Sequence, residues 1–405
     1  MIVTTKPLAG IRVLDLSRIL AGPWASQLLA DMGAEVIKIE QPGKGDDTRR
    51  WGPPWVGDSG EAAYFLSANR GKQSVTIDIA QPAGQALIRE LALKSDVLIE
   101  NFKVGGLKKY GLDYASLHAL NPRLVYCSIT GFGQEGPYAQ RAGYDFMIQG
   151  MGGLMSLTGQ PDDVSGGGPV KVGVALTDIF TGMYASNAIT AALWQRPTTG
   201  TGTHIDLGLL DVQVGVLANQ ALNYLTSGQV PQRLGNAHPN IVPYQAFSTR
   251  DGHLILAVGN DTQFQRFCTV AGAPELATDE RFTTNALRVA NRQALIPLLE
   301  PLLTQFSTDE WLAKLEVEGV PCGPINTLDR VFADPQVQHR EMAIEREHAT
   351  AGEVKLVSNP IRFDGVALNA ETAPPVLGQH TETVLQSVLG MDQSAIAQLR
   401  DDGVV

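Results

Sequence analysis

The chain has 405 residues, 44% of them apolar and 18% charged, with a formal net charge of −11. That length exceeds what one hydrophobic core usually organises, so two domains are expected. The negative balance argues against a general nucleic-acid binder, and Cys127, Cys268 and Cys322 are too dispersed for a metal site or a disulfide framework and read as reduced thiols.

Gly10–Ser17 reads as a strand and Pro23–Met32 as a helix. Glu35–Glu40 and Ser74–Ile79 are strands, Pro82–Lys94 a helix, and Asp96–Asn101 and Leu124–Ile129 strands. This alternation predicts an α/β domain with a parallel sheet and ligand-binding loops at its carboxyl edge. Asp178–Ser227 is mainly helical, broken by a short strand at Thr203–Leu207. Its apolar stretch, Thr181–Trp194, is too short to span a bilayer, and the N-terminus carries no apolar signal core. A soluble protein is expected, cytoplasmic or in an organelle matrix. Tyr244–Phe247 and His253–Ala257 form a hairpin through Arg250-Asp251-Gly252. Helices then run from Gln263 to about Val317, strands return within Ile344–Ile361, and Thr381–Arg400 is helical. Pro161–Gly168 reads as a flexible loop.

Most motifs for familiar chemistry are missing. The first strand and its turn carry no G-x-G-x-x-G; the one formal match, Gly131-Phe-Gly-Gln-Glu-Gly136, runs into Pro137 and reads as a turn. There is no phosphate-binding P-loop, no G-x-S-x-G elbow, and the seven histidines are isolated. Three basic groups follow strand ends: Lys44, Arg49 and Arg50; Arg70 and Lys72; Lys103, Lys108 and Lys109. Their shared placement suggests a rim that gathers phosphates, although each alone reads as a solvated loop residue. Gly143-Tyr144-Asp145 places a tyrosine and an acid in a loop after a strand. Asp178 is a lone carboxylate among small and apolar residues where an extended segment turns into a helix. A helix N-cap is the structural reading of that position, and a catalytic carboxylate the functional one.

The ordered set of short motifs resembles the class III CoA-transferases, the family of formyl-CoA transferase and carnitine CoA-transferase. It comprises Leu8–Asp15, Leu20–Pro23, Gly33–Glu40, Asn69–Lys72, Glu100–Phe102, Gly131–Gln134, Gly143–Asp145, Gly173–Asp178, Arg233–Asn236, Gly259–Asp261, Gly319–Pro324 and Leu377–His380. Gly45–Pro54 and Ile241–Phe247 look most like the dicarboxylate-type members, the succinyl-CoA:glutarate enzymes among them.

The resemblance implies a Rossmann-like large domain built from both chain ends, a smaller α+β domain, and an interlocked, ring-shaped homodimer. The implied division is 1–200, a helical linker at 201–228, a small domain at 229–328, and a returning segment at 329–405. It implies that Asp178 is the nucleophile, passing through an aspartyl mixed anhydride and an aspartyl-CoA thioester. CoA would lie along Ile19, Gln41, Asn69, Arg70, Lys72, Asn101, Phe102, Lys103, Lys109 and Tyr110. Tyr144 and Arg141 would edge the acyl site near Leu20, Gly259-Asn260-Asp261 would be a mobile covering loop, and His238 would be a candidate for a distal carboxylate. CoA thioesters enter as substrates, with no tightly bound cofactor and no metal.

Leu20 stands where formyl-CoA transferases carry glutamine, and the long glycine run is missing. Both departures point away from formate and oxalate. Gln41 replaces an arginine of some relatives. An α-methylacyl-CoA racemase of the same fold would need a histidine near Tyr144, and a phenol of pKa about 10 is a poor base. A non-catalytic CoA-thioester-binding protein would not need Asp178.

Overall fold

The structure is a computed structural model, and it describes residues 6–405. The chain divides into two compact units. The larger takes residues up to Leu154, then Val172–Leu222 and Pro335–Val405; the smaller takes Met155–Lys171 and Asn223–Asp334.

The large unit is built on six strands. They are β1 (Arg12–Asp15), β2 (Glu35–Glu40), β3 (Lys72–Thr76), β4 (Val97–Glu100), β5 (Val125–Thr130) and β6 (His204–Gly208). Their order is β3-β2-β1-β4-β5-β6, and every pair is parallel. Successive side chains point to opposite faces, so each apolar strand feeds two cores. Leu14, Ile37, Val75, Leu98 and Tyr126 enter one, beneath the helices Pro82–Leu93, Tyr114–Leu120 and Thr381–Leu389. Val13, Val36, Val97, Val125 and Cys127 enter the other, against Ala21–Asp31 and Leu176–Thr199. The order reverses between β1 and β4, which is where an open α/β sheet offers a crevice.

Three expectations are corrected. The strand expected at Thr203–Leu207 is β6, the sixth member of the main sheet rather than part of a linker. The segment Pro161–Gly168 belongs to the small unit, where Asp162 pairs with Arg233. The C-terminal helix breaks at Gly390 (φ 69°), where glycine's left-handed backbone ends Thr381–Leu389 before Asp392 caps Gln393–Asp401.

In the small unit, Tyr244–Ser248 and His253–Ala257 form the expected antiparallel hairpin, extended by Cys322–Pro324. Phe247, Leu254, Leu256, Phe264, Trp311 and Leu315 fill its core. No helix among the described residues is long and apolar enough to cross a membrane.

Candidate active site

A cavity of about 620 Å³ lies at the carboxyl ends of the strands of the large unit. Arg18, Ile19 and Leu20 enter it after β1, and Gln41, Gly45 and Asp46 after β2. Asn101, Phe102, Lys103, Lys109 and Tyr110 line it after β4. The wall after β5 supplies Thr130, Gly131, Arg141, Gly143 and Tyr144, and the Leu176–Thr199 helix supplies Asp178.

The β1 turn is braced by buried charge. Ile19 has a left-handed backbone (φ 72°), a costly state for a β-branched residue. Its N–H donates to Asp46 Oδ1 at 3.2 Å, while Asn101 Oδ1 accepts from Arg18 N at 2.9 Å and Asn101 Nδ2 donates to Arg18 O at 2.7 Å. Lys38 Nζ donates to Asp46 Oδ2 and to Ser17 O, both at 2.9 Å. Burial pushes the Asp46 carboxyl up, and the Lys38 ammonium overrides it, holding the group at about 2. At the end of β4, buried Glu100 accepts from Phe102 N at 2.8 Å, and burial pushes its carboxyl up to about 7.

Asp178 is treated differently. It is the third residue of its helix and not the N-cap, which is Ala175 with no side-chain cap. Two amides at that helix start belong to Asp145. Asp145 Oδ1 accepts from Thr177 N at 2.9 Å and from Asp178 N at 3.4 Å, and Gln149 Nε2 donates to its Oδ2 at 2.7 Å. Thr177 Oγ1 donates to Gln213 Oε1 at 2.7 Å. The Asp178 carboxyl is partly buried, and among the described residues it accepts no hydrogen bond. Burial, then the Asp145 charge, pushes it up to about 7. Near neutrality it is therefore shared between an acid and a reactive, weakly solvated carboxylate. Burial and the charges of Asp178 and Asp145 also push up the Tyr64 phenol, placing it in the same field.

Of the ten residues expected along CoA, Ile19, Gln41, Asn101, Phe102, Lys103, Lys109 and Tyr110 line the cavity. Asn69, Arg70 and Lys72 do not, because buried charges inside the unit claim them. Arg70 grips Asp31 through Nε at 2.8 Å and Nη2 at 2.6 Å. Lys72 Nζ donates to Pro23 O at 2.9 Å, Asn69 Oδ1 at 2.8 Å and Asp15 Oδ2 at 3.3 Å. Arg49 is likewise held by Glu40, at 2.8 Å. Of the basic rim, Lys103 and Lys109 line the cavity, while Lys44 and Arg50 stay exposed beside the end of β2. Leu20 is buried on the cavity wall, whereas Tyr144 is 65% exposed.

The remaining candidates lie in the small unit and hold structural posts there. Asn260 caps the Asp261–Val270 helix by accepting from Gln263 N, and Gly259 N donates to Gln263 Oε1 at 2.7 Å. Asp261 pairs with buried Arg288 at 2.8 Å. The segment expected to be a mobile covering loop leads into the Asp261–Val270 helix, which Asn260 caps. The His238 ring lies tilted against Tyr244, and burial and Arg292 push its imidazole down.

Sequence reasoning missed Arg18, Asp46, Gln149, Gln213 and Tyr64. Asp145 was visible in Gly143-Tyr-Asp145, but its bond to another helix was not. Among the described residues, no group of three or more His, Cys, Asp or Glu is gathered as a metal site.

A doubly wound sheet with a ligand-sized cavity at its strand ends, walled in part by a partly buried carboxylate, is an α/β architecture suited to acyl chemistry. Residues 8–381 match the model of CoA-transferase family III, and the chain belongs to that family: it is a CoA-transferase. It is 52% identical to a succinate–glutarate CoA-transferase of Agrobacterium fabrum, covering 96% of this chain and 97% of that one. It is 46% identical to the human succinyl-CoA:glutarate CoA-transferase, over 99% of this chain and 90% of that one. A crystal structure of a CaiB/BaiF family protein from Brucella suis superposes with a TM-score of 0.83 at 54% identity, covering 95% of this chain and all of that one.

Proposed function

We propose that the enzyme moves CoA from succinyl-CoA to a second dicarboxylic acid of glutarate type, with Asp178 as nucleophile. The observation that carries this is the Asp178 carboxyl itself, which accepts no hydrogen bond among the described residues and is raised to about 7, on the wall of a cavity large enough for a thioester. The names of the A. fabrum and human relatives support the choice of acids.

The carboxylate attacks the thioester carbonyl and expels CoA thiolate, leaving an aspartyl–acyl anhydride. The thiolate attacks the aspartyl carbonyl of that anhydride, releasing the first acid and forming an aspartyl-CoA thioester. The acceptor carboxylate then displaces CoA thiolate to give a second anhydride. Thiolate attack on its acyl carbonyl yields the new acyl-CoA and frees Asp178. No proton or electron is consumed, and one hard exchange becomes a series of easier ones. The part-buried setting protects the anhydrides from water. The loop of Asn101, Phe102, Lys103, Lys109 and Tyr110 receives CoA, with the Lys109 ammonium suited to a phosphate.

The homodimer belongs to the same proposal. Met183, Tyr184 and Trp194 are exposed on the Leu176–Thr199 helix, Trp194 to 87%, and Phe146 is exposed on the Asp145–Met151 helix, apolar surface of the kind that marks an interface. Sedimentation at micromolar concentration should return twice the chain mass.

Hydroxylamine quenching after addition of succinyl-CoA, followed by peptide mass spectrometry, tests the covalent route. A hydroxamate on the peptide holding Asp178 is expected. Label on any other residue, or none during turnover, overturns it.

A further inference from the structure

The geometry points to Arg141 as the receptor for the far, non-reacting carboxylate of the acid, and so as the residue that selects diacids. This rests on the diacid reading above and adds the group that enforces it.

A diacid brings a second negative charge into a cavity that already holds Asp178, with Asp145 beside it. A nearby cation must meet that charge. Four cationic side chains line the cavity. Arg18 pairs with Asp47, another residue of the cavity, at 3.1 Å. Lys103 and Lys109 stand on the loop assigned to CoA. Arg141 remains. Its guanidinium lies over the Tyr138 ring, 4.5 Å from the centroid, and 5.3 Å from that of Phe132. Its one polar contact is Met151 Sδ at 4.0 Å, and among the described residues it pairs with no carboxylate. A guanidinium held by aromatic faces keeps its in-plane N–H fork free, and that fork matches a carboxylate in two parallel bonds.

The segment that carries Arg141 is packed against the strand end and linked to the nucleophile. Gly131 and Gly143 meet backbone to backbone; a Cβ on Gly143 would fall 2.3 Å from Gly131 Cα. Two residues further on, Asp145 holds the amides of Thr177 and Asp178. Arg141 and Asp178 line the same cavity, and Asp145, four residues after Arg141, ties that loop to the start of the Asp178 helix, so a short diacid is placed to present one carboxyl to each.

The test compares glutarate with glutaramate, its mono-amide, as acceptors for the wild type, Arg141→Met and Arg141→Lys, with the same succinyl-CoA donor throughout. The glutarate-to-glutaramate ratio of kcat/KM should fall roughly 30- to 100-fold in Arg141→Met, the effect of losing hydrogen bonds to a charged group. In Arg141→Lys, which keeps the charge but loses the fork, it should fall about tenfold. An unchanged ratio in Arg141→Met overturns the assignment. Should that variant fail to fold by circular dichroism, Arg141→Lys decides alone: a lowered ratio supports the assignment and an unchanged one overturns it. A wild type that does not discriminate between the two acids refutes the diacid reading itself and the assignment with it, a result distinct from a preference that survives in the variants.

Discussion

Two sets of carboxylates share the rim of one sheet. Asp15, Glu40 and Asp46 are buried and matched: Lys72, Arg49 and Lys38 stand against them, and hydroxyls and amides fill the remaining lone pairs. Asp145 and Asp178 are neighbours, and among the described residues neither pairs with a cation; Asp145 accepts from the Thr177 and Asp178 amides, and Asp178 accepts from none. The first set fixes the crevice. The second keeps one carboxyl under-solvated and reactive. The difference teaches that stability and reactivity at this rim are set by which acids receive partners, since both sets are aspartates and glutamates a few residues from strand or helix ends.

Removing the unmatched acid is the largest perturbation. Asp178→Ala should lower CoA exchange by at least about 10⁴-fold in a steady-state assay, while titration calorimetry still detects acyl-CoA binding. An active Asp178→Ala enzyme ends the nucleophile assignment. Breaking the matched set should instead cost folding. Asp46→Ala strands the Lys38 ammonium in the interior, a loss of about 3–5 kcal/mol by denaturant titration.

The unmatched acid should also carry a stability cost. The Asp178 carboxyl has a folded pKa of about 7 against an ordinary 3.8. The unfolded chain gives up that proton first, so folding stability declines as pH rises from about 4 to about 7. Asp178→Asn should therefore gain on the order of 2 kcal/mol at pH 8, and little at pH 4, in paired urea melts. A gain that is equal at both pH values would show the group is not shifted. The smallest effect tests the origin of the shift. Asp145→Asn keeps an oxygen for the Thr177 and Asp178 amides but loses the charge. The acidic limb of the pH–rate profile should then move down by less than about one unit, because burial is the larger cause.

The parallel sheet was readable because strands buried on both faces are continuous apolar runs: Glu35–Glu40 is recovered residue for residue, and β4 and β5 within one residue at each end. Asp178 was readable as a helix-start carboxylate in apolar company. Its cap was not, since Asp145 reaches it across 33 residues. The roles of Arg70 and Lys72 were misjudged for the same reason. Their partners Asp31 and Asp15 are 39 and 57 residues away, so each basic side chain looked free when read locally. Arg18 and Asp46 gave no signal because what matters is the fold that brings the two turns together.

The bonds on Asp31 carry a further consequence. Besides Arg70, it accepts from Ala370 N, 339 residues along the chain, and from Asn359 Nδ2, 328 residues along. Those partners emerge from the ribosome after every residue of the small unit, which ends at Asp334. The unit whose strands are translated first is therefore the last to have its residues assembled. Its six strands are all made by Gly208, but Asp31 gains the Asn359 and Ala370 bonds only after the small unit's last residue has been added.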